Sequence, residues 1–386
     1  MTQDKNPTSM APVMCVVGAR PNFMKMAPIL RALAQHSPPI PALLVHTGQH
    51  YDTDMSKKLF VDLGLPQPDI NLEVGSGSHA QQTAEVMRRF EPALDEHRPS
   101  CVLVVGDVNS TLACTLVAVK KDVPVAHVEA GLRSYDRKMP EEINRILTDQ
   151  VADRLYTTER SAADNLQREG IDLARVCFTG NVMIDSLESS RPHARPPAQT
   201  LAAHGLEPEM LAGPRGYGVV TLHRPSNVDT AETLSSLLNV LARVSQDLPL
   251  VFAMHPRTRS NIERFGLGGL LDPARVAVLP PQGYLEMLGL MAGAALVLTD
   301  SGGLQEETTA LGVPCLTLRE NTERPITVEQ GTNTLVGIEP AAILQGVAEI
   351  LAGHGKRGRV PEFWDGHTAE RIAADLWQWL HTPEGR

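Results

Sequence analysis

Residues 101–133 read CVLVVGDVNSTLACTLVAVKKDVPVAHVEAGLR, and this stretch decides the fold. Cys101–Val105 is an unbroken apolar run, the residues that follow carry a helical pattern, and Val123–Val128 is largely apolar again. A strand apolar throughout is one buried on both faces, and two such strands joined by a helix make a unit of parallel sheet.

The same rhythm extends in both directions. Val13–Val17, Leu43–His46, Arg175–Thr179, Gly218–Leu222, Leu250–Met254, Arg275–Leu279, Ala295–Thr299 and Val313–Leu318 are predicted strands, separated by helical patterns. The chain of 386 residues is therefore expected to be α/β, with parallel sheets covered by helices on both faces. Between Ser189 and Gly216 the rhythm breaks at Arg191-Pro192, Arg195-Pro196-Pro197 and Gly213-Pro214, which places a linker near the start of that segment. The expected organisation is an N-terminal domain over 1–188, a second over 189–364, and a C-terminal segment 365–386 whose amphipathic pattern, His367–Leu380, packs back on the first domain. In such sheets the strand C-termini open toward a ligand crevice.

Composition narrows the function. With 35 Lys plus Arg against 45 Asp plus Glu, a formal charge of −10 offers no general attraction to nucleic acid or anionic membranes. The most apolar stretch, Met287–Leu298, is interrupted by Gly289 and Gly293 and is shorter than the ~18 residues of a spanning helix, so no membrane partner is expected. Met1–Met10 is polar and carries no export signal, and the expected location is the cytoplasm. Five cysteines (Cys15, Cys101, Cys114, Cys177 and Cys315) lack metal-site or redox spacing and read as reduced core residues.

The first strand ends in Val17-Gly18-Ala19-Arg20-Pro21, without the three-glycine dinucleotide fingerprint, so a tightly held nicotinamide is disfavoured. A phosphate loop, a zinc-protease histidine pair and a nucleophile-elbow serine are likewise missing from the sequence. The turn GARPNFMK instead offers Arg20, Lys25 and helical amides to an anion, or it is a plain strand-to-helix turn with solvated cations.

Asp107 follows one strand and Glu129 ends the next. One such acid reads as a helix cap, but two at neighbouring strand ends are harder to explain that way. Met139-Pro140-Glu141-Glu142 opens a helix on which Glu141 and Arg145 stand four residues apart, either as an ordinary ion pair or as a third carboxylate held by a cation. Three acids with two arginines supply the parts for proton transfer at carbon. In the second half, His223-Arg224 suits a phosphate oxygen, and His255 follows the next strand. Thr299-Asp300-Ser301-Gly302-Gly303 passes from strand into helix with residues small enough for a phosphate to reach the amides, and Glu307, expected in the first helical turn, could accept from ribose hydroxyls.

Taken together, GARPNFMKMAP, GDVNSTLA, HVEAGLRS, MPEEINR, LHRPSN, TDSGGLQEE and NTERP resemble the non-hydrolysing UDP-N-acetylglucosamine 2-epimerases, in unbroken order from about Val13 to Gly337. The resemblance implies two Rossmann-like domains with parallel sheets facing a cleft, in a glycosyltransferase B-type arrangement. It also implies a homodimer, a UDP-sugar substrate, no NAD and no metal, and a role in cell-surface polysaccharide biosynthesis. The implied reaction eliminates UDP to a 2-acetamidoglucal and adds it back with protonation from the opposite face. Asp107, Glu129, Glu141 and His223 match the catalytic positions. Arg20, Lys25, Arg145, Arg224, His255, Ser301, Gly302, Gly303, Glu307 and Arg324 are the substrate-binding candidates.

Two departures stand out. Pro225-Ser226 replaces an Arg-Glu or x-Glu pair of many members, and Tyr51-Asp52 after Gln49-His50 departs from the pattern of members activated by a second UDP-sugar. The same segments resemble epimerases of UDP-2,3-diacetamido-2,3-dideoxy-glucuronic acid, whose carboxylate would need a cation such as Arg133, Arg137, Lys138 or Arg224. A B-type glycosyltransferase would share the fold without needing the three acids, and a sugar-nucleotide sensor would lose them.

Overall fold

The computed structural model describes residues 10–48, 60, 62–211 and 213–382, apart from the side chains of Arg20 and Met210. Gln49, His50, Tyr51 and Asp52 lie outside the described residues. Two compact units are present, one formed by the chain up to Ser186 with the residues from Glu362 onward, the other by Leu187–Pro361.

The first unit holds a seven-stranded sheet made of β1 (Val13–Val17), β2 (Ala42–His46), β3 (Ile70–Asn71), β4 (Cys101–Val105), β5 (Val125–Ala130), β6 (Arg154–Thr157) and β7 (Val176–Phe178). Its order is β3-β2-β1-β4-β5-β6-β7, and every pairing is parallel. β1 and β4 are wholly buried, as their unbroken apolar runs require. The helix Thr368–Leu380 belongs to this unit and packs on the helix Arg20–Gln35. Its first amides, those of Thr368 and Ala369, donate to the Asp185 carboxylate at 3.1 and 2.6 Å.

The second unit repeats the plan with β8 (Gly218–Thr221), β9 (Leu250–Ala253), β10 (Val276–Leu279), β11 (Leu296–Thr299), β12 (Cys315–Thr317) and β13 (Asn333–Leu335), ordered β10-β9-β8-β11-β12-β13 and all parallel. Its helix Ala231–Val244 shows how the pattern works. Thr230 caps it by accepting from Thr233 N–H, and Leu234, Leu237, Leu238, Leu241 and Val244 form one buried stripe against the sheet.

In each sheet the strand order reverses at one place, between β1 and β4 and between β8 and β11. Turns leaving neighbouring strands on either side of such a reversal diverge and leave a crevice at the strand C-termini. All five cysteines are free, four are buried, and burial pushes the Cys15 thiol up to about 12. Among the described residues no helix is long and apolar enough to cross a membrane.

Candidate active site

In the first unit, Asn22 joins the turns after β1 and β4. Its Oδ1 accepts from Ala19 N–H at 3.0 Å, and its Nδ2 donates to the Val105 carbonyl at 2.9 Å. A Cβ on Gly18 would fall 2.0 Å from Ser110 Oγ, so only glycine lets the two turns approach this closely. Asn22 thereby occupies an amide of the turn that was expected to cradle an anion. Arg20 opens the helix, and its side chain is outside the described residues. Lys25, a substrate-binding candidate, is buried and its ammonium pairs with Glu129.

Glu129 sits at φ 75°, where β5 slips register against β6 between Val128 and Ala130. A left-handed non-glycine residue costs about 1–3 kcal/mol and persists where its surroundings over-determine it. The bulge breaks the strict alternation of the strand, and the Glu129 side chain meets Lys25.

Asp107 does not cap the following helix, whose N-cap is Val108. Arg145 holds it instead, with Nε and Nη2 donating to Oδ2 at 3.0 and 2.8 Å, while Asn144 Nδ2 donates to the Asp107 carbonyl at 2.9 Å. This corrects the expected Glu141–Arg145 pair. Arg145 bonds Asp107 and Glu142, three residues back, because Glu142 and Arg145 lie on the buried face of the helix Pro140–Val151. Glu142 also accepts from Ser134 and Tyr135 N–H. Glu141 is half-buried and forms no hydrogen bond or ion pair with the described residues, so its oxygens are available to an incoming group.

In the second unit Asp300, fully buried after β11, gathers the turn after β8. It accepts from the backbone N–H of His223 at 3.0 Å, from that of Arg224 at 2.9 Å and from Asn227 Nδ2 at 3.2 Å. Its carboxylate also stands 2.9 Å from His223 Nδ1. Burial opposes its ionisation, but the His223 ring and these backbone donors prevail and keep its pKa below the usual value. The His223 and His255 rings lie 5.6 Å apart, and His255 caps the helix Pro256–Arg264 by accepting from Arg257 N–H at 3.2 Å.

The helix Gly302–Leu311 has Ser301 as an N-cap without a side-chain bond. The two glycines differ. A Cβ on Gly302 would meet Glu323 Oε1 at 2.6 Å, so this glycine serves packing, whereas Gly303 faces open space. Glu307 falls in the second helical turn and not in the first; it is buried beside Tyr284. Arg324 is clamped by Glu306 at 2.9 Å and Glu323 at 2.8 Å, and Arg224 stands 3.6 Å from Glu323. Burial works against the charge on Glu323, yet Arg324 and Arg319 hold its carboxyl well below the usual range.

Sequence reasoning did not single out Asn22, Asp300 or the buried pair His127 and Asp149. Asp300 had a readable signal, an acid directly after a predicted strand, whereas the contacts of Asn22 and Asp149 reach across the fold.

A family model for UDP-N-acetylglucosamine 2-epimerase matches residues 31–376. The UDP-N-acetylglucosamine 2-epimerase of Methanocaldococcus jannaschii is 40% identical over 364 residues, 94% of this chain and 97% of that one. Its crystal structure in complex with UDP-GlcNAc and UDP superposes with a TM-score of 0.82, at 39% identity over 95% of this chain and 99% of that one. The UDP-2,3-diacetamido-2,3-dideoxy-D-glucuronate 2-epimerase of Pseudomonas aeruginosa is 42% identical over 342 residues, 88% of this chain and 92% of that protein. A lipopolysaccharide outer core galactosyltransferase, 12% identical over 94% of this chain and 99% of that one, shares the fold alone at a TM-score of 0.53. The protein is thus an α/β enzyme of the isomerase class. It belongs to the UDP-N-acetylglucosamine 2-epimerase family.

Proposed function

We propose that the enzyme interconverts UDP-N-acetylglucosamine and UDP-N-acetylmannosamine. The observation that carries this reading is the set Asp107, Glu129 and Glu141, which leave the C-terminal ends of adjacent strands β4 and β5 and the first turn of the next helix. One carboxylate takes the C2 proton, the C2–H electron pair becomes the C1=C2 double bond, and the C1–O pair departs with UDP. Re-addition of UDP at C1 with protonation of C2 from the opposite face gives the epimer. All electrons stay within the substrate pair, so the chemistry calls for no nicotinamide.

In this reading Glu141, which forms no ion pair with the described residues, exchanges a proton with substrate, while Asp107 and Glu129 act against Arg145 and Lys25. The second unit holds UDP. Gly303 leaves room for a phosphate at the helix amides, Ser301 and Gly302 shape the turn, and Arg224, His223, His255 and Arg324 contribute positive charge or hydrogen bonds. Glu307 takes the ribose. The enzyme works in the cytoplasm as a homodimer, supplying an activated amino sugar for cell-surface polysaccharide.

Incubation with UDP-N-acetylglucosamine in deuterated water tests the reading. Deuterium at C2 of both epimers, observed by NMR, is expected, and free N-acetylmannosamine as the main product would make the enzyme a hydrolase.

A second substrate, the UDP-diacetamido-glucuronate, is favoured by one observation. Arg137 and Lys138, directly before Met139 and Glu141, are exposed and form no ion pair with the described residues. Arg133 drops out as a partner for the C6 carboxylate, because it is buried and bonded to Asp149 and Glu169. Exchange at C2 with the diacetamido substrate alone would decide for this reading.

A further inference from the structure

His127 lies within β5 at 0% exposure, beneath the elements that carry the three acids. Its Nδ1 is 2.7 Å from Asp149 Oδ1 and its Nε2 is 2.8 Å from the Gly106 carbonyl. Gly106 directly precedes Asp107, and its own N–H donates to the Val128 carbonyl at 3.0 Å. Asp149 stands on the helix that begins with Glu141, and its Oδ2 accepts from Gly131 N–H at 3.0 Å, two residues beyond Glu129. One ring therefore spans the turn of Asp107, the bulge of Glu129 and the helix of Glu141.

A carbonyl oxygen and an ionised carboxylate can only accept hydrogen bonds, so a ring whose two nitrogens face one of each must donate from both. We propose that His127 is a buried imidazolium and a positioning residue, whose two N–H groups set the mutual placement of Asp107, Glu129 and Glu141. Arg133 Nη2 stands 2.7 Å from Asp149 and also bonds Glu169 at 2.6 Å, while Arg175 donates to the backbone carbonyls of Asp149, Gln150 and Ala152. Arg133 is buried like Asp149, whereas its other partner, Glu169, is partly exposed. A neutral imidazole would set a ring lone pair against an oxygen. Arg133, 2.7 Å away, favours the ionised form of the Asp149 carboxylate against the cost of its burial.

Protonation is tested on the native protein, by neutron diffraction from deuterated crystals. Deuterium on both Nδ1 and Nε2 of His127 is expected, and deuterium on one nitrogen alone overturns the proposal. Positioning is tested kinetically and rests on the epimerase reading above. Glutamine offers one donating and one accepting end, so His127→Gln should lower kcat about ten- to a hundredfold, as small misplacements of reacting groups do, with KM changed less than about threefold. Wild-type kcat in a folded variant would assign His127 a packing role only. If His127→Gln does not fold, Asp149→Asn tests the same link and the neutron result still decides protonation. Failure of the wild-type enzyme to epimerise would count against the proposed function, and the neutron result would stand apart from it.

Discussion

Asp300 stands 2.9 Å from Nδ1 of His223 and accepts that residue's own backbone N–H at 3.0 Å, so one buried carboxylate sets both the ring and the main chain of the histidine. The arrangement leaves His223 Nε2 without a bond to the described residues and fixes the orientation of the ring.

Asp300→Asn puts an amide where four donors converge, and one of its two ends can no longer accept. Turnover is expected to fall about ten- to a hundredfold, the cost of roughly 1.5–3 kcal/mol for a charged hydrogen bond lost at a positioned group. Steady-state kinetics beside thermal denaturation will check this, and unchanged turnover in a folded variant would free His223 from any dependence on Asp300.

Asp107→Asn, Glu129→Gln and Glu141→Gln should each slow epimerisation by about a hundred- to ten-thousandfold. Their effects on stability should separate. Glu141→Gln is expected to stay within about 0.5 kcal/mol of the native protein, because Glu141 bonds nothing among the described residues. Glu129→Gln leaves buried Lys25 facing an amide and should cost about 3–5 kcal/mol. Urea denaturation read beside turnover distinguishes these outcomes, and three variants with wild-type rates would reduce the carboxylates to ion-pair partners.

The paired glycines predict opposite results. Gly302→Ala collides with Glu323 and should destabilise the fold, whereas Gly303→Ala enters open space and should raise helix stability by up to about 1 kcal/mol while weakening UDP binding. Glu307→Ala should weaken UDP about ten- to a hundredfold. Calorimetric titration with UDP measures both binding effects, and undiminished affinity in Gly303→Ala and Glu307→Ala would move the nucleotide elsewhere.

Acid should unfold the protein through its buried carboxylates. Asp149 and Asp300 have pKa values below their ordinary 3.8, and Glu323 lies below its ordinary 4.5. A depressed folded pKa gives stability that is complete above the unfolded value and disappears as pH falls through the folded one. The urea midpoint is therefore expected to be flat from about pH 7 to 5 with respect to these groups and to drop below about pH 4. A midpoint unchanged at about pH 3 would contradict the ion pairs.

Ile143 and Leu147, one turn apart on the helix Pro140–Val151, are 41% and 45% exposed, and Tyr135 nearby in sequence is 67% exposed. A second copy of the chain would cover them in the proposed homodimer. Leu147→Asp should then shift the protein toward monomer in sedimentation experiments, and an unaltered dimer would place the interface on another face.

Much of the fold was legible because burial of a parallel strand leaves a local mark. Val13–Val17 and Cys101–Val105 are observed with the bounds their apolar runs predict. β6 and β13 left no such mark. β6 reads Arg154-Leu155-Tyr156-Thr157, and its arginine is matched by Asp375, 221 residues away. β13 begins at Asn333, whose buried amide is satisfied by Gln305 and Thr327 from helices of the same unit.

The positions of the acids could be read from the chain, since a residue that follows a strand must emerge at the sheet's C-terminal edge. Their partners could not. Glu141 lost the expected Arg145 to Asp107 and Glu142, and Lys25 took Glu129 as its counter-ion. Strand order and the β5 bulge decided these exchanges. Hydrophobic periodicity is set by near neighbours along the chain, whereas a buried charge takes whichever opposite charge the packed sheet brings within a few ångströms.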